Sequence, residues 1–85
     1  MKDFSYTITD EAGMHARPAG MLVKAIHGFE SEIILTCRGK TANCKKLFAI
    51  MSLAVKQGET VTISAEGPDE DAAIKMLQEF MQKEL

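Results

Sequence analysis

Residues 13–20 read Gly13-Met14-His15-Ala16-Arg17-Pro18-Ala19-Gly20, and the periodicity of the chain changes across them. Before this stretch, Phe4, Tyr6 and Ile8 alternate with Ser5, Thr7 and Thr9, which predicts a half-buried strand. After it, Leu22, Ala25, Ile26 and Phe29 recur at helical spacing. Asp10-Glu11-Ala12-Gly13 lies between as a polar loop. Pro18 suits a first helical turn, where its missing N–H costs nothing. A helix is therefore expected from Ala16 to about His27-Gly28, with the glycine as terminator.

Working outward, Ser31 to Arg38 carries Ile33, Leu35 and Cys37 opposite Ile34 and Thr36, a strand apolar on much of both faces. Gly39 turns it into a short strand from Lys40 to Asn43. Lys45 to Leu53 reads as a short helix, and Gln57-Gly58 breaks the chain after it. Val61, Ile63 and Ala65 alternate with Thr60, Thr62 and Ser64 as a fourth strand. Gly67-Pro68 opens a last helix with Asp69, Glu70 and Asp71 in its first turn and Lys83 in its last, both suited to the helix dipole. Ala73, Leu77, Phe80 and Met81 form its buried stripe. The order β-α-β-β-α-β-α predicts a two-layer α+β domain with helices on one sheet face.

Composition narrows the function. At 85 residues, one domain spanning 1–85 is expected, with a modest core. Apolar residues make up 46% and charged residues 26%, an ordinary globular balance that excludes disorder. The net charge is −2 and the cations are scattered, which argues against a nucleic-acid partner. No apolar run is long enough to insert in a membrane, and no signal-peptide core follows Met1-Lys2-Asp3-Phe4, so the cytoplasm is the expected location. Cys37 and Cys44 read as free thiols. With His15 and His27 they lack metal-ligand spacing, so no metal is expected.

His15, Arg17 and Pro18 mark a site as well as a boundary. A helix start offers unpaired N–H groups and a positive dipole end, which together receive phosphate. The dipole favours a neutral imidazole, the nucleophilic form of the ring. Arg17 could add charge-assisted bonds to phosphoryl oxygens, and phosphoryl transfer asks for little beyond positioning and electrostatics. The same three residues also fit a plain polar helix start, and the short string alone does not decide between the two.

The wider string from Gly13 to Gly20 resembles the active-site signature of the HPr family, the histidine-containing phosphocarriers of the sugar phosphotransferase system. Lys40, Asn43, Lys45 and the run Leu47 to Leu53 resemble the family's second motif. Ile63-Ser64-Ala65-Glu66-Gly67 before an acidic helix start resembles a third, so the likeness covers essentially the whole chain. It implies an open-faced sandwich of four antiparallel strands covered by three helices. It implies that His15 is phosphorylated on Nδ1 by enzyme I, which draws on phosphoenolpyruvate, and donates to enzyme IIA components of sugar permeases. Arg17 would stabilise the phosphoryl group beside the backbone of Ala16, Arg17 and Pro18. Gly20, Met21, Lys24, Lys45, Leu47, Phe48 and Met51 would form the docking surface, whereas Ile50 and Leu53 read as core. A monomer suits a carrier whose docking face must stay open.

One position departs from the family pattern. A regulatory serine commonly follows Lys45, and here Lys46 stands there. Lysine has no hydroxyl, so the serine switch is expected to be absent. Two other roles compete with this one: a regulatory docking module acting on transcription factors or metabolic enzymes, and an autonomous enzyme. Retention of His15 speaks against the first. No nucleotide-binding glycine loop or paired carboxylates accompany His15, which speaks against the second. The expected role is a phosphorylated co-substrate needing no cofactor.

Overall fold

The computed structural model describes all residues from Met1 to Leu85. The elements are β1 (Lys2–Thr7), α1 (Ala16–Ile26), β2 (Glu32–Cys37), β3 (Lys40–Asn43), α2 (Leu47–Ser52), β4 (Thr60–Glu66) and α3 (Glu70–Glu84). The strands form one sheet in the order β1-β4-β2-β3, antiparallel throughout. This is the two-layer α+β domain that the element order predicts and the open-faced sandwich that the resemblance implies.

Strand alternation builds the layers. The register sets Phe4 against Ile63, Tyr6 against Val61 and Leu35 against Ile63, so these side chains point one way. Ile33, Leu35 and Cys37 join Val61, Ile63 and Ala65 beneath the helices, and all six are buried. Leu22 and Ile26 of α1, Ile50 of α2, and Ala73, Leu77 and Met81 of α3 close over them, within a core of 20 buried apolar residues. Each buried Leu or Ile contributes about 1.5–3 kcal/mol relative to exposure. The opposite face carries hydroxyls: Ser5 Oγ meets Thr62 Oγ1 at 3.0 Å, and Thr7 Oγ1 meets Thr60 Oγ1 at 2.9 Å.

Three details differ from the sequence reading. Ala25 lies on the exposed side of α1, because the apolar stripe of Leu22 and Ile26 is narrow and a methyl group loses little there. Gly28 does not terminate α1 through a left-handed conformation. The Phe29 N–H instead donates to Ile26 O at 3.0 Å, tightening the last turn. Asp69 lies outside α3 as its N-cap residue, and its carboxylate turns away from that helix. It accepts from the N–H groups of Glu30 and Ser31, at 2.8 and 2.9 Å, and from the Ser31 hydroxyl. Ser31 is fully buried, and a Cβ on Gly67 would lie 2.7 Å from its Cα. That close approach, with φ at +154°, is why a glycine precedes Pro68.

Candidate functional site

The first turn of α1 sits where three segments meet. The loop from Ile8 to Met14 runs beneath it. The Met14 N–H donates to Val55 O at 3.0 Å, which ties this loop to the α2–β4 connection. Gly13 makes the contact possible. Its φ is +68°, and a Cβ there would lie 2.4 Å from Val55 O. The third segment is the end of α3, where Leu85 O accepts from the N–H groups of Thr9 and Asp10 at 2.6 and 2.9 Å.

His15 is the N-cap residue of α1, in extended conformation (φ −91°, ψ −174°), half-buried, with no side-chain bond to the helix. Its carbonyl accepts the Ala19 N–H at 3.0 Å. Pro18 has no N–H and is buried, so it anchors the turn and contributes no donor. The helix start thus offers two backbone amides, those of Ala16 and Arg17, both on exposed residues next to the imidazole.

Arg17 does not reach back to His15. Its Nη1 lies 3.7 Å from Glu84 Oε1 and 3.5 Å from Met21 Sδ. Sequence reasoning missed Glu84 as its partner, because nothing local to either residue signals that the end of α3 meets the start of α1. It also missed Val55, whose part is played by a backbone carbonyl that leaves no mark in the side-chain pattern.

The apolar surface lies on α1 and α2, which pack against each other. Met21 is 36% exposed, Met51 37% and Phe48 83%. Leu47 is half-buried, while Ile50 and Leu53 are buried in the core as expected. Gly20 is half-buried with open space where a Cβ would project. Lys24 is exposed in the last turn of α1. Lys45 donates from Nζ to Phe29 O at 2.7 Å, which holds it beyond the C-terminal end of α1, about 16 Å along the helix from His15. Lys46 is the N-cap residue of α2, extended (φ −117°, ψ 107°) and without a capping bond.

Elsewhere, Cys37 and Cys44 are buried free thiols, and burial pushes Cys44 up to about 12. No three His, Cys, Asp or Glu side chains converge as a metal site. No helix is long and apolar enough to cross a membrane.

The family model described as the HPr component of the phosphotransferase system, with its phosphorylation site, matches residues 2–83. The chain belongs to the HPr family. Solved HPr structures superpose on it closely. The histidine-containing phosphocarrier protein of Mycoplasma is 39% identical, with a TM-score of 0.93 over 96% of this chain and 93% of that one. HPr of Thermoanaerobacter tengcongensis is 41% identical, with a TM-score of 0.92 over 98% and 93%. The catabolite repression protein Crh of Bacillus subtilis, solved as a swapped dimer, is 36% identical with a TM-score of 0.78 over 94% and 92%. By fold and family the chain is an HPr-type phosphocarrier of the phosphotransferase system. Proteins of the HPr family are carriers rather than catalysts.

Proposed function

We propose that His15 accepts a phosphoryl group from phosphorylated enzyme I, charged from phosphoenolpyruvate, and passes it to enzyme IIA components. The observation that carries this reading is the half-buried imidazole at the start of α1, unbonded to its helix and beside two amides that Pro18 and Ala19 leave free. A neutral ring nitrogen attacks phosphorus, the bond between phosphorus and the donor breaks, and the new oxygens face the Ala16 and Arg17 N–H groups. Arg17 then leaves Glu84 for the phosphoryl oxygens. Its present pair is 3.7 Å long with the Arg17 side chain 61% exposed, a kind of contact worth only about 0–1 kcal/mol, so little opposes the swing.

Gly20, Met21, Leu47, Phe48 and Met51 form the docking face in this reading, flanked by Lys24 and Lys45. Gly20 supports it, because nothing in the fold requires a glycine there, whereas a flat patch for a partner does. Met suits a face that two partners use in turn. Such use favours a monomer, which sedimentation of the purified protein checks.

Lys46 carries the second part of the proposal: the chain lacks the serine-phosphorylated regulatory form. A regulatory docking role on transcription factors or metabolic enzymes draws support from the likeness to Crh, but it leaves the unbonded His15 without a purpose. The deciding experiment mixes the protein with enzyme I and phosphoenolpyruvate and weighs it. An acid-labile gain of one phosphoryl group, absent in His15→Ala, is expected. No gain in the wild type would end the carrier reading. Incubation with ATP and an HPr kinase is expected to leave no acid-stable phosphate, and Lys46→Ser is expected to gain one.

A further inference from the structure

The loop that presents His15 rests on a platform, residues 55–59. The Ile8 N–H donates to Glu59 O at 3.0 Å, the Gly58 N–H to Ile8 O at 2.9 Å, and the Met14 N–H to Val55 O at 3.0 Å. Gln57 Nε2 donates to Thr9 O at 3.1 Å. Gly13 lies directly against Val55 and Lys56. Where this platform sits, the backbone leading into His15 must follow.

The platform is held by one side chain from a different part of the fold. Arg38 stands at the β2–β3 turn with φ at +53°. Its Nη1 donates to Glu59 Oε2 at 2.5 Å, and its Nη2 donates to Leu53 O at the end of α2. One guanidinium therefore bridges both ends of the segment from Leu53 to Glu59. Glu59 Oε1 in turn accepts the Lys56 N–H at 2.7 Å. Between the bridged ends the chain passes through Ala54, whose φ of +49° is a conformation that persists in a non-glycine residue only when its surroundings enforce it.

We propose that Arg38 is a positioning residue for His15: it staples the two ends of segment 53–59 and so fixes the platform beneath the loop that presents the imidazole. The role rests on His15 being the phosphoryl acceptor. Arg38 and Glu59 are 42% and 26% exposed, and pairs so exposed add little to global stability. The effect of the staple is therefore local. Phosphoryl transfer is sensitive to it, because misplacement by about 1 Å can cost about a hundredfold in rate.

The test compares Arg38→Met, which keeps the length but removes both bonds, with Arg38→Lys, which supplies a single donor group. With each variant as substrate of phosphorylated enzyme I, Arg38→Met is expected to lower kcat about tenfold. KM should stay within about twofold, because Met21, Phe48 and Met51 all lie outside segment 53–59. Arg38→Lys is expected to recover part of the loss. Amide hydrogen exchange supplies a readout independent of phosphorylation. The Met14 N–H is expected to exchange at least about fivefold faster in Arg38→Met, with the amides of β4 unchanged. Unchanged kcat, a rise in KM alone, unchanged Met14 exchange, or equal acceleration across β4 would each overturn the proposal. If the wild type accepts no phosphoryl group, the carrier reading fails, and the Met14 measurement still judges the staple.

Discussion

Replacing Lys46 should stabilise the protein, and the structure divides the gain into two parts. α2 is six residues long, so its first N–H groups weigh heavily in its stability. The Ile50 N–H is bonded to Lys46 O at 3.2 Å, which leaves Leu47, Phe48 and Ala49 as orphan donors. Lys46 has the extended backbone of a cap residue but no acceptor, and the first turn holds no acidic residue. Its ammonium adds a positive charge to the positive end of the dipole, at a cost of about 0.3–1 kcal/mol. In Lys46→Ser the hydroxyl oxygen accepts from Phe48 or Ala49 and brings about 1 kcal/mol more. At about 4–8 °C per kcal/mol for a domain of this size, Tm should rise by about 5–16 °C. Lys46→Met removes the charge without supplying an acceptor and should give only the smaller part. Thermal melts in low salt and in 1 M NaCl separate the two. At about 1 M the screening length is about 3 Å, so the gain of the Met variant should vanish while that of the Ser variant persists. A Ser variant no more stable than the Met variant at both salt levels would refute the capping argument.

Gly13→Ala should lower Tm by about 5–15 °C, from a left-handed φ cost of about 1–2 kcal/mol and the contact with Val55 O, partly offset by a stiffer unfolded chain. The same variant should shift the amide resonances of Met14 and His15. Gly20→Ala should raise stability by about 0.5–1 kcal/mol in a denaturant melt, since open space receives the methyl, while weakening partner binding in a titration. Cys37 and Cys44 are both held above their ordinary thiol range, first by burial, so a thiol reagent at pH 8 should label neither in the folded protein and both in denaturant. The Asp69 carboxyl is held below its ordinary value, first by the Ser31 hydroxyl and then by the Glu30 N–H. A depressed carboxyl stabilises the fold above its unfolded value and loses that contribution as pH falls through the folded one. Asp69→Asn should therefore be destabilised at pH 7, and its deficit in urea midpoint should shrink as the pH drops below about 4.

The elements were legible in the sequence because each is written locally. Phe4, Tyr6 and Ile8 carry a period of two, Leu22 and Ile26 a period of four, and Pro18 marks the boundary between them. The helix start beside His15, on which the proposed phosphate seat rests, was legible for the same reason, since Pro18 and the neighbouring imidazole are both local. What stayed hidden depends on ties between distant segments. Asp69 looks like an acidic residue of a helix start, yet it bonds to Ser31, 38 positions away, because Gly67 lets the two loops touch. Arg17 looks like a ligand for a phosphoryl group on His15, yet the end of α3 brings Glu84 within reach of it. Arg38 looks like the last residue of a strand, yet it closes a bridge to Glu59, 21 positions on. Each is a polar side chain whose role depends on which loops the finished sheet order brings together, and no period in the chain encodes that order. Local pattern could therefore supply the imidazole and its two amides but not the side chains that hold the loop beneath them. In the proposed carrier role, those side chains would set how accurately the His15 imidazole is aimed.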